Sequence, residues 1–307
     1  MATPQGGILP EPGSHALFLV LKVRSPRHAR AVAKIAARVP ALAAQVARLD
    51  KRSRLVANVA FGTRLWSRIS RTSKPRGFRP FKKTGKRTLV APSTGGDILL
   101  HAISNRQDLN FEIAQRLRSE LGDRVRVLEE VHGFRYLDAR DLTGFIDGTE
   151  NPKGKRERAN VALIGDEDRA FAGGSFVFTQ RYVHDLSKWS RLSDAAQEKQ
   201  IGRRKKNSVE LRGKAKPPTA HISRVVIEEK GEELEIVRHS FPYGDSSEAG
   251  LFFIAYTNDL AIPFKMLDRM LGASGDGKHD HLMDYTKAVS GATFFAPSLS
   301  VLRSIAR

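Results

Sequence analysis

Asp147 stands in the segment GFIDG, residues 144–148, where two glycines bracket one carboxylate. Glycine permits left-handed backbone and lets a flat or bulky group approach closely. A carboxyl beside Phe145 and Ile146 is expected to be partly desolvated, which raises its pKa and suits it to proton transfer. The same residues also read as an Asp-Gly turn followed by an Asn151-Pro152 turn, and both readings stand on the residues alone. Arg238 follows the apolar pair Ile236-Val237. Its guanidinium cannot titrate, so an inward-facing Arg238 either stabilises charge developing on a bound oxygen species or forms a structural salt bridge; without other information the salt bridge is favoured. His221, after Pro217-Pro218-Thr219-Ala220, is one of nine histidines, and a lone histidine is more often structural than a ligand. His279-Asp280-His281 looks like a metal cluster, but no further ligand is spaced to complete a site, so it reads as an exposed loop.

The elements that must hold these residues follow from apolar periodicity. Residues 16–23 (ALFLVLKV) predict a buried strand, and residues 28–49 predict a helix with Val32, Val39, Leu42, Val46 and Leu49 on one face. Strands are expected at 55–61, 97–103 and 125–136, with a helix over 108–121 stopped by Gly122. The order strand, helix, strand, strand, helix, strand is that of a split βαβ, or ferredoxin-like, unit. The second half repeats the theme. Strands are expected at 175–182, 221–227, 234–238, 251–256 and 293–296. Ser193 is expected to cap a helix running to about residue 203, and Pro263 to start one through Leu271. The fold class is therefore α+β, two ferredoxin-like modules with antiparallel sheets and peripheral helices. The division falls between residues 1–152 and 153–307, with a polar hinge near 151–158. A second basic loop, 203–218, runs straight into His221.

Composition removes several alternatives. The chain has 307 residues and 40% are hydrophobic, enough for a real core. No run of about 18 apolar residues occurs, so no membrane helix is expected. The first residues lack a charged start followed by an apolar run, so no secretory signal is expected either. Cysteine is absent, which excludes disulfides, thiolate ligation and iron–sulfur clusters and suits the cytoplasm. Net charge is +19, with basic clusters at 82–87, 153–158 and 203–206. None interleaves with aromatics at a recognition-module spacing, so weak polyanion binding at low salt is expected but no specific nucleic-acid partner.

These separate candidates join because the chain resembles a known family. GFIDGTENP, residues 144–152, matches the GxxDG motif of the dye-decolorizing peroxidases. So do the flanking EVHGFRY (130–136) and GGSFVFTQRYVHD (173–185), the segment 238–244 and GLFFIAY (250–256). The likeness extends from about Gln5 to Leu299 and is greatest to the bacterial B-type branch, which includes porphyrinogen peroxidases. It implies a haem b cavity mainly in the C-terminal half, capped by the GxxDG loop. By motif position His221 is the axial iron ligand, Asp147 the distal acid and Arg238 the distal arginine. Ser240 stands where many members carry Asn. Gly148, Thr149, Arg203, Arg238 and Phe253 are the expected cofactor contacts, and Asp284 is the candidate carboxylate behind His221.

The activity so implied is reduction of hydrogen peroxide coupled to oxidation of bulky organic donors such as dyes, phenolics or porphyrinogens. The alternative is a haem-handling or iron-releasing protein with incidental peroxidase activity. Tyr136, Tyr243, Trp66 and Trp189 are candidate electron relays to donors too large to enter, although ordinary packing is the favoured reading of each. The basic rim at 203–216 would steer anionic donors. The family often assembles, so a homo-oligomer is expected. The chain ends directly after the last expected strand and short helix, so no shell-cargo tail is expected.

Overall fold

The computed structural model describes residues 2–70 and 74–307. Strand β1, His15–Val23, is buried on both faces, and that explains its uninterrupted apolar run. Leu17, Leu19 and Leu21 pack under helices, while Phe18 and Val20 join a second core on the other side of the sheet. Strands β2 (Val56–Gly62), β3 (Ile98–Ser104) and β4 (Val125–Phe134) complete the first half in the order β2-β3-β1-β4, all antiparallel.

The second half uses β5 (Ser175–His184), β6 (Val237–Arg238), β7 (Phe241–Gly244), β8 (Ala249–Thr257) and β9 (Ala292–Ala296). Its order is β6-β8-β5-β9, with β7 also on β8, so both halves share one ferredoxin-like plan. They join edge to edge where Phe294 and Phe295 of β9 pair with Gly62 and Phe61 of β2. The long sheet curls until its two ends pack side chain on side chain. Gly133 of β4 lies under Phe241 of β7, where a Cβ would come within 2.5 Å of the Phe241 Cβ. The second core therefore lies inside a barrel-like space, and the helices coat the outside.

Three expectations are corrected. The helix expected over 28–49 is two, α1 (Ala29–Ala36) and α2 (Val39–Ala47). Pro40 in the first turn of α2 lacks an N–H and its ring cannot continue a helix from before it. Leu49 falls beyond α2 and is exposed. The strand expected at 221–227 is a helix instead: α3 (Asp194–Ile201, capped by Ser193 as expected) is followed by α4, His221–Val225. The run HISRVVI favours a strand by its β-branched content, but buried Arg224 overrides it. Its guanidinium is captured by Asp276 at 2.6 Å and by the Arg269 carbonyl at 2.9 Å, which pins the turn against α5, Ala261–Met270. The strand expected at 234–238 shrinks to Val237–Arg238. Among the described residues, no helix is long and apolar enough to cross a membrane.

Candidate active site

The loop carrying Asp147 is built by its own backbone. Asp141 N–H donates to the Phe145 carbonyl and Gly144 N–H to the Asp141 carbonyl, both at 2.8 Å, while Asp147 N–H reaches Ala139 at 3.0 Å. Gly144 and Gly148 adopt φ of +89° and +76°, the region that glycine enters without strain. Arg140 fastens the loop from outside, donating to the carbonyls of Gly144 (2.8 Å) and Lys205 (2.6 Å). Sequence reasoning missed this residue, which ties the GxxDG loop to the basic loop.

The Asp147 carboxylate accepts the Gly148 N–H at 2.7 Å and faces Arg238 Nη1 at 3.4 Å. Arg238 is held by Asn151, whose amide accepts from the Arg238 N–H and donates to the Arg238 carbonyl, each at 2.8 Å. One side chain thus supplies the pairing a neighbouring strand would give. Asn151 was read only as part of an Asn-Pro turn, and nothing in the sequence signals the clasp. Ser240 lines the same cavity, and its hydroxyl oxygen accepts the Ile254 N–H at 3.3 Å.

His221, Gly148, Thr149, Arg203 and Phe253 line this cavity as well, so the structure gathers every residue singled out for catalysis or cofactor contact. Its walls are largely apolar, with Phe178, Leu251, Met266 and Met270 among them. A second cleft, lined also by Glu11, Tyr136 and Arg140, meets the cavity at Asp147, Arg238 and Ser240. Half-buried Asp141 also lines the cavity, with His184 Nε2 at 3.2 Å and the Thr143 hydroxyl at 2.7 Å. Burial works to raise the Asp141 pKa, but His184 and Thr143 together bring it below the ordinary carboxylate value.

The carboxylate behind His221 is Asp280, not Asp284. Asp280 is fully buried and lies 2.6 Å from His221 Nδ1, whereas Asp284 contacts His279 Nε2 at 3.1 Å. The segment 279–281 is accordingly not simply an exposed loop: Asp280 faces inward and caps the turn His281–Asp284 by accepting the Leu282 N–H. The basic rim is partly neutralised by its own neighbours. Arg203 pairs with Glu150 and Glu210, Arg204 with Glu198, Lys205 with Asp194 and Lys216 with Glu210. Of the candidate relays, Trp66, Trp189 and Tyr243 are buried rather than superficial.

Fold and cavity define an α+β enzyme of two ferredoxin-like halves, with a paired carboxylate and guanidinium and a carboxylate-backed histidine lining one apolar chamber. The N- and C-terminal models of the Dyp-type peroxidase family match residues 5–135 and 138–301, and the chain belongs to that family of peroxidases. It is 39% identical over 294 residues to the dye-decolorizing peroxidase of Mycobacterium tuberculosis, covering 94% of this chain and 86% of the relative. The structure of DyPB from Rhodococcus jostii RHA1 is 40% identical with a TM-score of 0.94 over 98% of each chain. The dye-decolorizing protein from V. cholerae is 46% identical with a TM-score of 0.92, covering 98% of this chain and 99% of that one. A variant of the Rhodococcus jostii DypB, 39% identical to this chain, is solved in complex with haem.

Proposed function

We propose that this protein is a haem b-dependent peroxidase that reduces hydrogen peroxide and oxidises organic donors of the dye, phenolic or porphyrinogen type. The observation that carries the reading is the cavity's pairing of Asp147 with Arg238 at 3.4 Å, together with His221 backed by buried Asp280 at 2.6 Å. The donor set fits a haem. Asp280 occupies His221 Nδ1, which leaves Nε2 as the nitrogen free to hold iron. Apolar Phe178, Phe253, Met266 and Met270 suit a flat macrocycle, and Arg203, whose buried Nε lacks a partner, suits one of its carboxylates. Bound haem would supply the iron that exchanges electrons with peroxide and donor.

The protein's own groups then have distinct tasks. The Asp280 carboxylate accepts a hydrogen bond from His221 Nδ1–H, fixes the tautomer and strengthens the imidazole as a ligand through Nε2. Asp147 accepts a proton from peroxide and returns it to the departing oxygen, directly or through one water. Arg238 stabilises negative charge on the peroxide oxygens, held in place by Asn151. Ser240 is committed to backbone and contributes a hydroxyl edge beside Arg238. A haem carrier has no need of an acid paired with an arginine at the binding face, which favours catalysis over haem handling. The same reading takes the protein as a cytoplasmic homo-oligomer; the lack of cysteine suits a reducing compartment, and sedimentation tests the assembly.

The absorption spectrum of protein produced with haem, for wild type and His221→Ala, tests the proposal. A strong Soret band that weakens or shifts in the variant supports it. Wild type without a Soret band after haem titration removes it.

A further inference from the structure

Inside the barrel, away from the cavity lining, lies a closed polar cluster that the peroxide chemistry above does not use. Tyr256 and His101 are both about 1% exposed, and the phenol oxygen lies 2.8 Å from His101 Nδ1. The same oxygen accepts the Asn58 Nδ2 hydrogen at 2.9 Å, and Asn58 is oriented by accepting the Gly7 N–H at 3.0 Å. Because Asn58 already donates to the phenol, the phenolic proton needs an acceptor, and His101 Nδ1 is the one in reach. His101 Nε2 then carries the ring proton and has no partner. Among the described residues no other tyrosine sets its hydroxyl on an imidazole: Tyr182 donates to the Gln180 amide, and Tyr243 shares Arg181 and Glu248.

We propose that Tyr256 is a redox-storage residue, giving up one electron to the oxidising equivalent that peroxide leaves in the cavity while its proton passes to His101 Nδ1. The inference rests on the peroxidase reading, which supplies the oxidant. The step balances: the phenol O–H bond breaks, an N–H bond forms on His101, and a neutral phenoxyl radical and an imidazolium remain. The electron reduces the cavity's oxidised site by one unit. When a donor returns an electron, the proton returns from Nδ1 to oxygen.

Three features suit storage. The first is proximity: the Tyr256 ring lies edge-on to His239, 5.4 Å between centroids, and His239 sits between Arg238 and Ser240, which line the cavity. The second is that the transferred proton has nowhere further to go, since His101 Nε2 meets no acceptor. Burial, with His239 nearby, holds His101 neutral and ready to accept; an oxidised phenol is a far stronger acid than any imidazolium. The third is shielding. Phe18 stacks on His101 at 4.8 Å and on Phe252 at 4.1 Å, keeping water and donors from the radical.

The test is electron paramagnetic resonance of haem-loaded protein frozen after one equivalent of peroxide without donor. Wild type should show a tyrosyl radical whose gx component is lowered by two hydrogen bonds to the phenoxyl oxygen. Tyr256→Phe should reduce that signal at least fivefold. His101→Phe, which keeps the stack on Phe18, should do the same although Tyr256 is present. Tyr243→Phe should retain it. An undiminished radical in Tyr256→Phe, no tyrosyl signal in wild type, or a gx typical of a free phenoxyl overturns the inference. A missing Soret band would instead fail the haem reading and take this inference with it, so the two failures are distinct.

Discussion

Asp280, wholly buried, places a carboxylate oxygen 2.6 Å from Nδ1 of His221, fifty-nine residues earlier in the chain. Its other oxygen accepts the Leu282 N–H at 2.9 Å, so the residue both orients His221 and caps the turn His281–Asp284 that follows it. Asp280→Asn keeps an acceptor for the cap while removing the charge behind the imidazole. Haem affinity should fall by about 10–100-fold, the usual cost of losing such a partner. Haem titration followed at the Soret band checks this, and unchanged affinity would count against Asp280 as the tuning group.

Asp147 is proposed to move the peroxide proton, and its amide analogue cannot. Asp147→Asn should slow reaction with peroxide by about 10²–10⁴-fold, the range for a lost general acid–base group. Haem binding should be retained, because iron would be held by His221. Stopped-flow mixing with peroxide, beside the haem titration, separates the two quantities.

Asn151 grips both main-chain groups of Arg238. Asn151→Ala leaves those groups unpaired in a half-buried strand, at about 1–3 kcal/mol for each one stranded without water. The guanidinium loses its fixed aim at the same time. Urea unfolding should show the lower midpoint, and kcat/KM for peroxide should fall. Asn151→Asp, which keeps only the acceptor, should lie between the two.

Acid should unfold the protein earlier than its carboxylates alone dictate. Burial, with Arg158 adjacent, holds His239 down to about 3, and burial holds His101 well below its ordinary value. Unfolded, each titrates near about 6.5. Between those values the unfolded chain binds more protons, so stability rises with pH there. The full contribution is present above about pH 6.5, and the His239 part drains away toward pH 3 at up to ~1.4 kcal/mol per pH unit. Urea midpoints from pH 7 to pH 4 should trace this slope, and His239→Phe should flatten it whatever it does to stability at neutral pH.

The sequence made much of this molecule legible, and unevenly. Element order exposed the ferredoxin-like plan, because strands with buried faces and amphipathic helices write their periods plainly. Asp147 was readable because its two glycines mark a special backbone. His221 and Arg238 were not separable from structural residues until the long GFIDGTENP match gave them context. Asp280 and Asp284 follow the same glycine-rich loop, and only the turn His281–Asp284 decides which carboxylate faces inward. His221 was placed on a strand because local β-branching outweighs a helical turn, until distant Asp276 and Arg269 seize Arg224. The Tyr256–His101 pair spans 155 residues. Its one available signal was a histidine in the middle of an apolar strand, ILLHAIS.

The placement of the two tryptophans gives the protein its own fluorescent gauge. Trp189 donates its indole hydrogen to the Thr143 carbonyl at 2.9 Å and lies edge-on to Phe145, so it reads the start of the loop that carries Asp147. Trp66 is wedged against Phe295 in the outer core, far from that loop in the chain, so its emission is expected to stay blue whatever the loop does. In the haem-free protein, any opening of the loop that strips Thr143 from Trp189 should redden the Trp189 emission and leave that of Trp66 alone, with no dye attached and no residue changed.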